Sequence, residues 1–236
     1  MVKNHLKSIA APRDWALNRK EYKWAVKPLA GKHPLNDCIS INFVIKKILN
    51  YAKTTKEVKK ILNDGNFIVD KKQRKDYKFA LGLMDVIEIP KLNEFYRVLH
   101  MKDGSLGLVA VENKETNLKL LKVIRKKVVK NGKMQLTFHD GRNILLDKFD
   151  GSVWDTAIFD LSTGKILKYI KLDKGNIVYF SGGTYKGLAG KVKDLVRQSK
   201  ISRPMVIAEI DGKDCTTLME YAFVVGKDKS EVKLNE

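Results

Sequence analysis

Four histidines, two cysteines and one glycine-rich loop are where this chain of 236 residues would carry chemistry. His5, His33, His100 and His139 lie far apart, without the spacing of a metal site or of a nucleophile with its base. His139-Asp140 sets a base beside an acid, but Gly141 follows directly, and the group reads as a turn at a strand end. Cys38 and Cys215 form no Cys-x-x-Cys pair; they read as free buried thiols, with neither zinc nor a disulfide expected. The loop Gly182-Gly183-Thr184-Tyr185-Lys186-Gly187-Leu188-Ala189-Gly190 raises nucleotide binding. A phosphate loop needs Gly-x4-Gly-Lys-Ser/Thr opening a helix. Here Gly190-Lys191 is followed by Val192, Tyr185 stands where the first glycine belongs, and a strand-like run comes next. The match fails, and no catalytic residue, metal or cofactor is expected. The loop keeps glycine's freedom at positive φ, which lets backbone approach a ligand closely. Tyr185 and Lys186 at its tip suit stacking and phosphate contact.

Charge is the stronger signal. Lys and Arg number 46 against 27 acidic residues, a formal net charge of +19, and only eight of the 46 are arginine. Such an excess points to a polyanionic partner, nucleic acid or an anionic membrane surface. Membranes fit less well. No apolar run nears the roughly 18 residues that span a bilayer, and no long basic amphipathic helix stands out. Ile9-Ala10-Ala11 is too short an apolar core for a signal peptide, so a cytoplasmic location is expected. Lysine is a mobile point charge suited to phosphate, whereas arginine makes the bidentate contacts that read bases. A lysine-dominated surface therefore predicts recognition of RNA shape and backbone more than of base sequence. At 44% hydrophobic, the chain can still bury cores.

The elements that must position these charges fall into four segments. Residues 1–37 are basic and loosely periodic, with Trp15, Tyr22 and Trp24 interleaved. Such a segment often orders only against a partner. Its aromatics either stack on unpaired bases or pack on the next domain, Trp15 clustering with Leu6, Ile9 and Leu17. Residues 38–92 read as a compact α-plus-β unit. Ile41, Val44, Ile45 and Ile48 make one apolar helix face, with Lys46 and Lys47 off it. Thr54 and Glu57 form a capping box for a second helix. That helix buries Val58, Ile61 and Leu62, ends at Gly65, and carries Lys56, Lys59 and Lys60 on its other side. A short strand at 67–69, the basic loop Lys71-Lys72-Gln73-Arg74-Lys75 and a strand from Met84 to Ile89 complete the unit. Any one charge run is commonly just a solvated face; a basic helix face followed by a basic loop argues for an RNA-binding surface.

Residues 93–172 read as β, with strands expected at 95–99, 106–111, 120–124, 134–138 and 166–170. Asp103-Gly104, Asn131-Gly132, Asp140-Gly141 and Thr163-Gly164 supply turns, and Arg125-Lys126-Lys127 is a basic patch near a hairpin. Residues 173–236 hold the glycine-rich loop between two strands, then a strand at 205–210, a turn at Asp211-Gly212, and Phe223–Val225 as a strand closing a small barrel.

In this order the segments resemble small-subunit ribosomal protein four of the archaeal and eukaryotic type, over essentially the whole chain. His5-Leu6-Lys7-Ser8-Ile9-Ala10-Ala11-Pro12 resembles that family's opening, and His139-Asp140-Gly141-Arg142 a turn of its central domain. Residues 40–89 look like the α-L RNA-binding motif, Gly175 to Val192 like a KOW motif, and Phe223-Val224-Val225-Gly226-Lys227 like the family's closing segment. Two features depart from the pattern. In Gly31-Lys32-His33-Pro34-Leu35 the proline follows the histidine instead of preceding it, and the chain ends at Glu236 without a basic tail, which favours an archaeal source.

The resemblance implies a multi-module α+β fold. An α-L RNA-binding motif is followed by two small, mainly antiparallel β modules, the last a KOW-type, Src-homology-three-like barrel. It implies a structural constituent of the small ribosomal subunit, partnered by small-subunit rRNA and neighbouring ribosomal proteins, with no membrane and no homo-oligomer. RNA contact is implied for His5, Lys7 and Arg13; for Lys46, Lys56, Lys59, Lys60, Lys71, Lys72 and Arg74; and for Gly182, Gly183, Tyr185, Lys186 and Lys191. Two other readings stay open. An RNA-modifying enzyme with an α-L module would need a large catalytic domain, and residues 93–236 show no Gly-x-Gly-x-x-Gly turn. A transient transcription or translation factor using a KOW module would share the charge and fold class.

Overall fold

The computed structural model describes residues 4–129, 132–196, 203–227 and 229–234. Contacts divide the chain into two compact units, one running to Leu99 with Ser105–Thr116 added, the other comprising His100–Gly104 and the chain from Asn117 onward.

In the first unit, Thr54 accepts from the Glu57 amide and the Glu57 side chain accepts from the Thr54 amide, so the expected capping box starts the helix Thr55–Asn63. Val58 and Leu62 are its buried face, and Gly65 at φ 77° turns the chain out of it. The preceding helix is less regular than its periodicity predicts. Ile41–Phe43 is α-helical and Val44–Ile48 widens into a π turn, with the Leu49 amide reaching back to the Val44 carbonyl. A five-stranded sheet has the order Lys72–Gln73, Ile68–Val69, Val86–Ile89, Glu94–His100, Leu106–Ala110. Asp70 and Lys71, at φ 50° and 59°, make the two-residue turn between its first two strands. The last two strands, expected to open a central domain at 93, pair here instead. Pro90–Leu92 and left-handed Asn93 fold the strand from Glu94 back on the one ending at Ile89 as a tight hairpin, and all four residues of the 86–89 strand are buried between that partner and Ile68–Val69.

Residues 4–37 pack onto this unit. Leu6, Ala11 and Trp15 join the core of Ile39, Ile41, Val44, Val58, Leu62 and Ile87. The Trp15 indole, 3% exposed, donates to the Cys38 carbonyl at 2.7 Å. Ile9, expected in the same cluster, is 78% exposed.

The second unit holds two antiparallel sheets. One has the order Asn143–Leu146, Met134–Phe138, Leu118–Val128, Thr156–Asp160, Ile166–Ile170, around Leu121, Val123, Leu136, Phe138, Ala157 and Phe159. The strands at 143–146 and 156–160 were not expected from the sequence. The other has the order Lys213–Leu218, Met205–Ile210, Ala189–Val196, Ile177–Phe180, Ala222–Gly226. Its two edge strands are joined by residues 219–221 alone. Four Cα steps reach at most about 14 Å, while the edges of a flat five-stranded sheet lie roughly 19 Å apart, so this sheet curls.

Candidate nucleic-acid interface

Because Val58 and Leu62 point inward, Lys56, Lys59 and Lys60 stand on the exposed side of the capped helix, three and four residues apart. The surface continues beyond the helix. The Lys59 ammonium lies 4.9 Å from the Tyr77 ring centre and the Lys78 ammonium 5.7 Å from the same ring. Arg74 stacks its guanidinium 4.4 Å over Phe79. Tyr77, Lys78 and Phe79 were not singled out from the sequence; an aromatic–basic alternation after a basic loop is the signal that would have found them.

Not every expected contact residue is available. Lys71, Lys72 and Lys75 are all exposed, but Lys71 also pairs with Glu88 at 2.9 Å and donates to Thr116 Oγ1 at 3.1 Å. Its positive φ on the hairpin turn aims it across its own sheet. Lys32, in the departing Gly-Lys-His-Pro run, pairs with Asp70, and His33 is buried 3.1 Å from Asp85. Arg19, which sequence reasoning passed over, donates to the Ala11 and Pro12 carbonyls at 2.8 Å each and shapes the N-terminal loop. His5, Lys7 and Arg13 are exposed, His5 tilted against Trp24 with 5.5 Å between ring centres.

A groove of about 310 Å³ lies where the N-terminal segment meets the α–π helix, lined by Tyr22, Trp24, Asn42, Phe43, Lys46 and Lys47 among others. Trp24 and Tyr22 are 52% and 61% exposed. Lys47 sits 5.4 Å from the Tyr22 ring and 3.2 Å from Glu21, whose carboxyl it holds below the usual range. Lys46 has no ion pair among the described residues.

In the second unit, the glycine-rich loop serves the fold first. A Cβ on Gly182 would meet the Tyr221 ring at 2.6 Å, so that glycine lets the ring lie on the backbone instead of admitting a ligand there. Gly183, at φ 79°, faces the same ring, and Gly187, at φ 85°, packs against the Met101 carbonyl. Tyr185 is half-buried and tilted towards Phe180, Lys186 is half-buried, and Lys191 is exposed opposite Glu209. On the other sheet, Arg125 and Lys127 are exposed while Lys126 donates to the Phe149 and Gly151 carbonyls.

Ionisable groups are also buried without any partner-facing role. Lys122, 4% exposed, donates to the Met219 and Glu220 carbonyls, and burial pushes its ammonium down to about 7. His100 is held neutral: burial, then the nearby Lys186 charge, lower its pKa to about 3. The Tyr179 hydroxyl donates to the His100 carbonyl and accepts from the His100 amide. Cys38 and Cys215 are buried and free, and burial pushes the Cys38 thiol up to about 12. No three His, Cys, Asp or Glu side chains among the described residues come together as a metal site, and no described helix is long and apolar enough to cross a membrane.

Comparison with known proteins agrees with the sequence resemblance. A family model described as Ribosomal family S4e matches residues 92–166, and one described as the RS4NT (NUC023) domain matches residues 2–36. Small ribosomal subunit protein eS4 of Staphylothermus marinus is 40% identical, over 99% of this chain and 96% of its own length. The protein of the same name from Methanothermobacter thermautotrophicus is 36% identical, over 98% and 96%. The crystal structure of the 30S ribosomal protein S4e from Thermoplasma acidophilum matches with a TM-score of 0.71 at 28% identity, covering 81% of this chain and 96% of that one. The chain belongs to the small ribosomal subunit protein eS4 family, whose members are structural ribosomal proteins and not enzymes.

Proposed function

We propose that the chain binds and stabilises small-subunit rRNA, as a structural constituent of the cytoplasmic small ribosomal subunit during assembly and translation, beside neighbouring ribosomal proteins and without self-association. The observation that carries this reading is the exposed Lys56, Lys59 and Lys60 face, continued through Tyr77 to Lys78. Cations set this close neutralise successive phosphates and release their counterions. That face is the working surface of an α-L RNA-binding module. The curled 177–226 sheet, with its glycine-rich loop, is the KOW-type, Src-homology-three-like barrel; the three-residue join between its edge strands supports closure. Lys7, Arg13 and His5 extend the first surface, and Lys186, Lys191, Arg125 and Lys127 give the second unit its own basic ground.

The test is sucrose-gradient sedimentation of native lysate, with the chain quantified before and after a high-salt wash. Recovery at one copy per small subunit, surviving the wash, is the expected result. Recovery at the top of the gradient, or loss on washing, would overturn it in favour of a transient factor.

A further inference from the structure

The groove between the N-terminal segment and the α–π helix holds one group that the fold leaves unused. Asn42 lines it, is 6% exposed, and its Oδ1 has no hydrogen-bond partner among the described residues. A buried amide oxygen without a partner is disfavoured unless something else completes it. The π turn at Val44–Ile48 follows directly, and such turns recur at functional sites. Around the amide stand flat apolar faces, Phe43 and Trp24, and two lysines, Lys46 and Lys47, which follow Asn42 by four and five residues.

We propose that this groove receives a single unpaired adenine of RNA. The base stacks on Trp24, the Asn42 amide pairs with its donor and acceptor edge, and Lys46 and Lys47 take the flanking phosphates. The chemistry is specific at each position. Aromatic rings stack any base, an asparagine amide is the usual bidentate partner of adenine, and lysine binds phosphate as a point charge. Phosphate would compete with Glu21 for Lys47, so the ion pair seen at 3.2 Å is the unliganded arrangement. Within a surface expected to read shape and backbone, this would be a place where one base is read directly. The inference rests on the RNA-binding reading above.

The test uses the full chain and labelled hexamers of oligoadenylate and oligouridylate, followed by fluorescence anisotropy at low salt. Oligoadenylate should bind more tightly. Asn42→Leu should weaken oligoadenylate binding about tenfold and leave oligouridylate unchanged. Lys46→Gln should weaken both alike. Asn42→Asp, nearly isosteric, loses the donor and adds a negative charge beside Lys46 and Lys47, so it should weaken both hexamers but oligoadenylate more, which guards against a packing artefact, and melting curves check that each variant is folded. Equal binding of the two hexamers, or no effect of either Asn42 change, would overturn the groove assignment alone if a small-subunit rRNA fragment still binds. If no RNA binds in any form, the rRNA reading falls and the groove assignment with it.

Discussion

Replacing Lys56, Lys59 and Lys60 together by alanine separates an RNA-facing surface from a packed one. All three side chains are exposed on a helix whose buried residues are Val58 and Leu62. Each phosphate neutralised contributes between about 0.7 and 0.9 to the slope of log affinity against log salt. Three contacts therefore contribute about 2 to 3. Between about 50 and 200 mM salt, the parent chain should lose roughly 20- to 40-fold more affinity for a small-subunit rRNA fragment than the triple variant does. Stability should barely move. Alanine is at least as good a helix former as lysine. Removing like charges at i, i+3 and i+4 offsets the loss of the Lys59 contact with Tyr77. The assay is an anisotropy titration at several salt concentrations beside a melting curve. An unchanged slope would show that the face does not meet phosphate. A lowered melting temperature would show that it packs against something.

Other substitutions test the internal architecture. Lys122 titrates near 7 when folded and near 10.5 when unfolded. The unfolded chain therefore holds the extra proton through that window, and stability should rise with pH across it. Lys122→Met should flatten that dependence, the relief of no longer burying an ammonium being opposed near neutral pH by the loss of its bonds to the Met219 and Glu220 carbonyls; urea melts across the window measure it, and a persisting slope would assign the effect elsewhere. Trp15→Ala should cost about 3–5 kcal/mol and expose residues 4–37 to protease, because it removes both the ring from the core and the bond to Cys38. Gly187→Ala should destabilise the second unit by a few kcal/mol, since φ is 85° and the new Cβ would lie 2.1 Å from the Met101 carbonyl oxygen; a melt at parental temperature would show that the loop relaxes freely.

Local rules were legible where they act locally. The capping box at Thr54 and Glu57, the stop at Gly65, and the strands at 134–138 and 166–170 all follow from spacing and turn residues. The π turn was not legible, because Ile41, Val44, Ile45 and Ile48 satisfy an α-helical period whether or not the turn widens. The strand Thr156–Asp160 was missed because it lies between two partners with nearly every residue buried, so it lacks the alternation that marks a half-exposed strand. Its unpunctuated approach, Trp154-Asp155, carries the left-handed turn on a tryptophan at φ 75°, a residue no turn rule nominates. For the interface, the run Lys56, Lys59, Lys60 was visible as a helix face, but its extension through Tyr77 and Lys78 depends on tertiary packing. Asn42 gave no signal at all, since an unsatisfied amide is a property of its surroundings.

A net charge of +19 overstates how much of this chain can face RNA. Arg97 and Lys119 are fully buried, Lys122 nearly so, and Arg19, Lys32, Lys71 and Lys126 are committed to carbonyls or carboxylates of their own unit. Neighbouring Lys71 and Lys72 make the distinction testable within one hairpin. Lys71 closes onto Glu88, which is 8% exposed, so Lys71→Met leaves a buried carboxylate without that partner. The cost should be about 1–3 kcal/mol of stability with the salt slope for rRNA unchanged. Lys72→Met removes an exposed cation on an edge strand, so it should spare stability and lower the salt slope by up to about 0.7–0.9. If both variants lowered the slope equally and neither lowered the melting temperature, the Lys71–Glu88 pair would have to open on RNA. The division of lysines into those that hold the fold and those that hold the partner would then be wrong for this hairpin.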